Sequence, residues 1–157
     1  MLNLKKIVSL LNKELTGKIF SEETLSELSK KGELIINNDT ANPDPERTKE
    51  LIEGANIVIT SWGSPNLNED ILSAAPHLEL VIHAAGSVKG IVSQELWDKG
   101  VRVTGSAPVL GMGVAETTLG LTIMSLKNIW KLSESLRNGG WSEGRNNVKE
   151  IYDVTIG

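Results

Sequence analysis

The first candidate for a functional site is the segment HAAGSVKG at 83–90, which directly follows an apolar run, LVI at 80–82. Small side chains leave the backbone open there, so the N–H groups of Ala85, Gly86 and Ser87 could point at an anion beyond the end of a strand. The segment lacks the Gly-Lys-Ser/Thr spacing of a P-loop. By spacing alone, a tight strand-to-helix turn and an anion-binding loop are both consistent with it.

A second candidate, Trp62, follows another apolar run, NIVIT at 56–60. The carboxyl ends of parallel strands meet at one edge of a sheet, so we expect Trp62 at the same edge as Gly86. Trp62 could form one wall of a ligand cleft at that edge, and plain packing is an equal alternative.

The other candidates for chemistry have simpler structural explanations. His77 and His83 are the only histidines; without carboxylates in register they make a poor metal site, so we predict no metal and a structural role for His83. Glu116 could act as an acid or base, or could complement the dipole in the first turn of a helix. The segment GMGVAE at 111–116 imitates a dinucleotide fingerprint, but Glu116 occupies the third glycine position and no strand directly precedes it. We therefore predict that it only leads into a helix.

Composition excludes several classes of protein. The 157 residues carry a net charge of −4 and include no cysteine, which excludes disulfides and thiolate metal sites. The sequence contains no stripe of basic residues of the kind that binds nucleic acid or an anionic membrane surface. The N-terminal run MLNLKKIVSLLNKEL is too short and too polar to span a membrane. We predict a cytoplasmic protein with no nucleic-acid or membrane partner.

Strand-length apolar runs alternate with helices that carry their own start and stop signals. Ser21 and Asp44 stand where N-caps are preferred, and Pro45 stands at a first helical position. Such alternation predicts βαβ units with right-handed crossovers. We predict an α/β fold with a flavodoxin-like, five-stranded parallel sheet, helices on both faces, and ligands at the carboxyl ends of the strands. The predicted strands lie at 7–11, 33–37, 56–60, 78–86 and 101–105.

After Gly113 the pattern changes to one long helix, predicted from Val114 to Asn138. Its apolar residues lie on more than one face, so it needs more than one neighbour to cover it. YDVTIG at 152–157 predicts the start of a strand. We predict a substrate domain at 1–110, a long inter-domain helix at 111–138, and a linker with the start of a further domain at 139–157. The main apolar stripe of the helix consists of Ala115, Leu119, Ile123, Leu126 and Trp130.

Taken in order, the segment LVIHAAGSVKGIVSQELWDKGVRVTGSAPVLGMGVAETTLGLTI at 80–123 resembles the D-isomer-specific 2-hydroxyacid dehydrogenases. SWGSPNLNEDILSAAPHLEL and RNGGWSEG fall in the order and spacing of that family, and VAETTLGL at 114–121 resembles the start of its long inter-domain helix. The resemblance implies an NAD(P)-dependent oxidoreductase that interconverts D-2-hydroxy acids and 2-oxo acids with a substrate domain and a Rossmann-like domain. It also implies that the chain stops just before the NAD-binding fingerprint.

The resemblance assigns roles to individual residues. Backbone N–H groups of Ala85, Gly86 and Ser87 would hold the substrate carboxylate. Trp62 is a further substrate-binding candidate by its position after a strand, not by the resemblance. Gly86 and Thr118 would contact the nicotinamide cofactor. The family's catalytic Arg, Glu and His are expected beyond residue 157, so we expect this chain to hold no catalytic residue and, alone, to be inactive and to bind no NAD. Departures from the family pattern stand at 84–87, at 90–92 and at Leu110.

The family also builds a two-fold dimer from the region of the long helix, so the resemblance implies a homodimer through this helix. The expected partners are small 2-hydroxy or 2-oxo acids, with NAD or NADP as cofactor of a complete enzyme. A stand-alone flavodoxin-like interaction or regulatory module without catalysis is the alternative. An in-frame GxGxxG downstream of Gly157, followed by Arg, Glu and His, would favour the dehydrogenase.

Overall fold

A five-stranded parallel sheet forms the centre of the first part of the chain in a computed structural model that describes residues 4–141 and 143–157. The strand order is β2-β1-β3-β4-β5, and every neighbouring pair is parallel. This is the flavodoxin order, so the predicted fold is confirmed. The strands are β1 (Lys5–Ser9), β2 (Gly32–Ile36), β3 (Ile57–Thr60), β4 (Leu80–His83) and β5 (Arg102–Gly105).

Capping residues set where the connecting helices begin. The side chains of Ser21, Asp44 and Ser93 each accept a hydrogen bond from the backbone N–H three residues later, as the sequence predicts. Asn12 does the same for Leu15 and begins a helix that the sequence analysis missed. The helices are α1 (Lys13–Ile19), α2 (Glu22–Lys31), α3 (Pro45–Ile52), α4 (Glu69–Leu72) and α5 (Gln94–Asp98).

Helices cover both faces of the sheet, because the apolar side chains of each strand alternate between two cores. On one face, strand residues such as Val8, Val58 and Val81 pack with the buried residues of α3, α4 and α5. On the other face, Ile7 and Ile59 pack with partly buried residues of α1 and α2, namely Leu15, Ile19 and Leu28.

The described chain divides into two compact units, one ending at Pro108 and the other running from Val109 to Gly157. The second unit corrects the single helix predicted from Val114 to Asn138. Helix α6 spans Ala107–Leu126, helix α7 spans Ile129–Arg137, and a 3₁₀ helix spans Arg145–Asn147. The break falls at Asn128, whose φ of 51° is left-handed; asparagine tolerates this conformation better than most residues.

Two further predictions for this part of the chain are wrong. Glu116 lies in the middle of α6 rather than in its first turn, which contains no acidic residue. The strand predicted at 152–157 is a turn followed by irregular backbone. A strand needs a hydrogen-bonded neighbour, and among the described residues the second unit contains no strand that could pair with it.

Candidate functional site

The carboxyl ends of β3 and β4 form one continuous, hydrogen-bonded edge. Thr60 and His83 are paired at the ends of the two strands, and the N–H of Ala84 extends the ladder to the Thr60 carbonyl at 2.8 Å. One residue further on, Ser61 Oγ donates to the Ala84 carbonyl at 3.1 Å. The loops after β3 and β4 therefore leave the sheet side by side.

The loop after β4 presents backbone donors. Ser106, directly after β5, donates its N–H to the carbonyl oxygens of His83 at 3.2 Å and Ala85 at 3.0 Å, which fixes the loop. Within residues 4–141 and 143–157, the N–H groups of Ala85, Gly86 and Ser87 donate no hydrogen bond. Ala85 is only 1% exposed, whereas Gly86 is half-buried and Ser87 is exposed, so an anion can reach the loop at these two residues. The predicted loop therefore has donors available for an anion.

A tight turn after β3 carries Trp62. The turn is closed by Ser64, whose Oγ accepts the N–H of Ser61 at 3.0 Å, and Gly63 adopts a left-handed φ of 77°. Asn42 Nδ2 donates to the Trp62 carbonyl at 3.3 Å from outside the turn. The Trp62 side chain is 56% exposed, so it is available to a ligand rather than committed to the core.

Three supporting residues were missed by sequence reasoning: Asn42, Ser61 and Ser106. Ser61 and Ser106 each follow an apolar strand, which is a signal that the sequence contains. Asn42 stands 20 residues before its partner, and nothing local indicates that contact.

His83 has the structural role that the sequence predicts. It is 2% exposed, and its Nδ1 lies 2.9 Å from Thr60 Oγ1. Burial lowers the pKa of His83 below its ordinary value, because the charged imidazolium loses its hydration. The ring is therefore held neutral against the sheet and is not placed to act as an acid.

This burial predicts a pH-dependent stability. Below pH 6.5, the ordinary pKa of histidine, the unfolded chain binds a proton that the folded chain excludes, so the free energy of unfolding falls as pH falls. The limiting slope is about 1.4 kcal/mol per pH unit for one such group. Urea unfolding between pH 5.5 and 7.5 should show that His83→Gln removes this contribution. His77 is exposed, so His77→Gln should keep it, and equal slopes for His83→Gln and the unmodified chain would contradict the burial argument.

The remaining predicted positions lie elsewhere. Segment 111–116 is inside α6, so it is neither a phosphate-binding turn nor the lead into a helix that we predicted. Thr118 also lies in α6, where its Oγ1 donates to the Val114 carbonyl at 2.8 Å, and it lines a cleft of the second unit with Leu121, Lys149 and Ile156. Among the described residues, no group of three or more His, Asp or Glu side chains could hold a metal ion.

Comparison with known proteins finds similar proteins for the chain as a whole. No family model matches the chain. It is 28% identical over 112 residues to the D-3-phosphoglycerate dehydrogenase of Methanocaldococcus jannaschii, covering 71% of this chain and 21% of that protein. It is 26% identical over 136 residues to the hydroxypyruvate reductase of Thermotoga maritima, covering 87% of this chain and 44% of that protein.

The curated proteins that this chain resembles are D-isomer-specific 2-hydroxyacid dehydrogenases. A solved protein of Pyrococcus horikoshii OT3 matches 94% of this chain and 42% of its own with a TM-score of 0.70 and 25% identity. The resemblance stated from the sequence is thus confirmed. The chain spans less than half the length of these curated relatives of the dehydrogenase family.

Proposed function

We propose that the first unit is the substrate-binding part of an NAD(P)-dependent oxidoreductase that acts on the CH–OH group of a D-2-hydroxy acid. The observation that carries this proposal is the loop after β4, where the N–H groups at 85–87 donate no hydrogen bond within the described residues and where Gly86 and Ser87 are not buried. A carboxylate is common to all 2-hydroxy and 2-oxo acids, and adjacent backbone N–H groups bind carboxylates well.

The loops after β3 and β4 would contact different parts of the substrate. The N–H groups of the β4 loop would fix the carboxylate, and the exposed Trp62 ring after β3 would contact the carbon atoms of the acid. Fixing one end of a small substrate orients its C2 atom, and orientation of this kind contributes directly to rate. In a complete enzyme the nicotinamide supplies the hydride chemistry.

The residues of this chain do not fit a nicotinamide cofactor by themselves. Dinucleotides need a strand, a glycine-rich turn and a helix N-terminus, whereas Gly111 and Gly113 lie within α6. Gly86 and Thr118 lie in different units of the described chain, and their contact with a cofactor remains a proposal. We derive no chemical step through the cofactor from this chain.

We expect oxamate, a stable analogue of a 2-oxo acid, to shift the amide resonances of Gly86 and Ser87 in a saturable NMR titration. Ser87→Pro removes one N–H donor, and a hydrogen bond to a charged group contributes about 1.5–3 kcal/mol, so affinity should fall at least about tenfold. Ser87→Ala removes only the hydroxyl and should bind within about twofold of the unmodified chain. Unchanged binding by Ser87→Pro would contradict the proposal.

We also expect the chain alone to bind NAD no tighter than about 1 mM and to oxidise no 2-hydroxy acid. Isothermal titration calorimetry with NAD and NADP tests the first part. The second is tested by assays on protein freed of host enzymes. Turnover that disappears when a residue of this chain is mutated would show that the catalytic groups are present after all.

We propose that α6 forms a homodimer interface, as the resemblance implies. The helix has no buried residue and exposes Val109, Met112, Val114, Leu119 and Leu121 by half or more, and apolar patches of this kind usually mark an interface.

The 20 residues of α6 and their mean hydropathy of 1.4 would also permit a membrane span. A charged residue, Glu116, stands at the middle of α6, where a span would tolerate it least. We therefore favour the dimer and a cytoplasmic protein.

A further inference from the structure

We propose that the loop site selects 2-hydroxy or 2-oxo acids that carry a single negative charge, with Lys89 as the residue that sets this preference. The inference rests on the proposed function, because it concerns the same N–H groups at 85–87. It goes further in naming a charge class of substrate and a side chain.

Charged residues are scarce on the loops that surround the site. The segments that leave the carboxyl ends of β3, β4 and β5 are 61–68, 84–93 and Ser106, and Lys89 is the only charged residue in them. An anionic ligand at this edge would therefore meet backbone dipoles, neutral side chains and one cation.

The neighbouring segments carry more negative than positive charge. The loops beyond β1 and β2 contribute Asp39 and Asp44, and Lys13 begins α1 directly after the first of them. Arg47, near the start of α3, is engaged by Asp39 at 3.1 Å and by Glu50 at 2.9 Å. Hydrogen bonds to Glu50 and Asp39 raise the pKa of Arg47. Counted once each, these two cations and three carboxylates carry a net charge of −1.

Lys89 is well placed to balance one carboxylate. It stands three residues after Gly86 in a turn closed by the N–H of Ile91 on the Val88 carbonyl at 2.9 Å, and its own N–H lies 3.4 Å from Ser87 Oγ. The side chain is exposed and forms no ion pair with any residue in 4–141 or 143–157. A second carboxylate or a phosphate on the same ligand would meet no second cation on the loops after β3, β4 and β5 and would face a chain of net charge −4.

The test uses three ligands that share a three-carbon skeleton and differ in charge: D-glycerate, tartronate and D-3-phosphoglycerate. Each is titrated into ¹⁵N-labelled protein at pH 7.5 and a constant ionic strength of about 0.1 M, so that screening is the same throughout. We expect D-glycerate to shift the amides of Gly86 and Ser87 with the highest affinity. Tartronate should bind more weakly, and D-3-phosphoglycerate at least about tenfold more weakly.

Substitutions at two lysines distinguish the role of Lys89 from an effect of the net charge of the chain. Lys89→Gln should weaken D-glycerate about two- to fivefold, as expected for an exposed charge pair. Lys99, at the end of α5 and therefore at the opposite edge of the sheet, changes the net charge equally, so Lys99→Gln should bind as the unmodified chain does. The amide spectrum reports in the same experiment whether each variant is folded.

The outcomes separate this inference from the proposed function. If D-3-phosphoglycerate binds at the same amides as tightly as D-glycerate, the charge preference is wrong while the carboxylate site stands. If Lys89→Gln and Lys99→Gln bind D-glycerate equally, the assignment to Lys89 is wrong. If none of the three ligands shifts Gly86 or Ser87, the proposed function fails and this inference fails with it.

Discussion

Replacing Leu119 and Ile123 together with lysine is expected to convert the proposed homodimer into monomers. The two side chains lie four residues apart on α6 and are 54% and 40% exposed, so they lie on one face of the helix. In a two-fold interface each residue occurs twice, so four apolar side chains are lost. At roughly 1 kcal/mol for each half-exposed side chain, dimer affinity should fall by nearly a thousandfold.

Light scattering and sedimentation velocity at several protein concentrations measure this effect. Thr117→Lys is the matched control, since Thr117 is an exposed polar residue of the same helix and its substitution adds a charge without removing apolar surface. Trp130 was part of the predicted stripe but lies on α7, beyond the break at Asn128, so it is a poorer position for this test. A monomeric unmodified chain, or one that partitions into lipid vesicles, would contradict the dimer proposal.

Gly32→Ala is expected to destabilise the sheet by about 3 kcal/mol, the upper range for forcing extra atoms into a packed site. Gly32 begins β2 and pairs with Lys5 of β1. A Cβ placed on Gly32 would overlap the carbonyl oxygen of Lys5 and lie 3.2 Å from Ile7 Cδ1. The backbone of two paired strands would have to move apart, and this movement is costly because β1 lies in the interior of the sheet.

Gly17→Ala provides a control of the opposite sign. Gly17 lies inside α1, and a Cβ there would meet no atom within 4 Å. Alanine in a helix interior is favoured over glycine by roughly 0.5–1 kcal/mol, so this variant should be more stable than the unmodified chain. Urea unfolding of both variants is the measurement. Equal destabilisation by the two substitutions would show that the close approach at Gly32 does not set the cost.

The sheet and most of its helices were predictable because their signals are local. Apolar runs and caps such as Ser21, Asp44 and Ser93 act through residues within one turn of the chain. Helix α1 was missed although Asn12 caps it, because its seven residues are too few to show a clear helical period and Gly17 interrupts them. The start of α6 at Ala107 lies before the predicted start at Val114, because Pro108, Gly111 and Gly113 are typical of loops, whereas proline is tolerated in a first helical turn.

The break between α6 and α7 could not be predicted, because distant partners hold it. Asn128 Nδ2 donates to the Gly144 carbonyl at 3.0 Å, and the N–H of Lys149 donates to the Leu126 carbonyl at 2.8 Å. Each contact joins residues that are 16 or more positions apart in the sequence, and together they compensate for the left-handed backbone of Asn128. Local sequence favours a continuous helix there, since no glycine or proline marks the position.

The position of the candidate site could be predicted from the sequence, but the hydrogen bonds that hold its loop could not. A small-residue loop after an apolar strand locates Ala85, Gly86 and Ser87 at the carboxyl edge. The path of the loop depends on the hydrogen bonds that Ser61 and Ser106 donate to its carbonyl oxygens. Those bonds depend on the strand order, which local patterns do not specify.

A crystal structure of the chain with oxamate, grown at about ten times its dissociation constant, tests the central claim most directly. The claim is that the backbone after β4 binds the carboxylate of a 2-oxo acid. The expected result is a carboxylate oxygen within about 2.7–3.2 Å of the amide nitrogens of Gly86 and Ser87, with Trp62 against the rest of the ligand. Oxamate bound elsewhere, or these two N–H groups bonded to protein acceptors while the ligand is present, would contradict it.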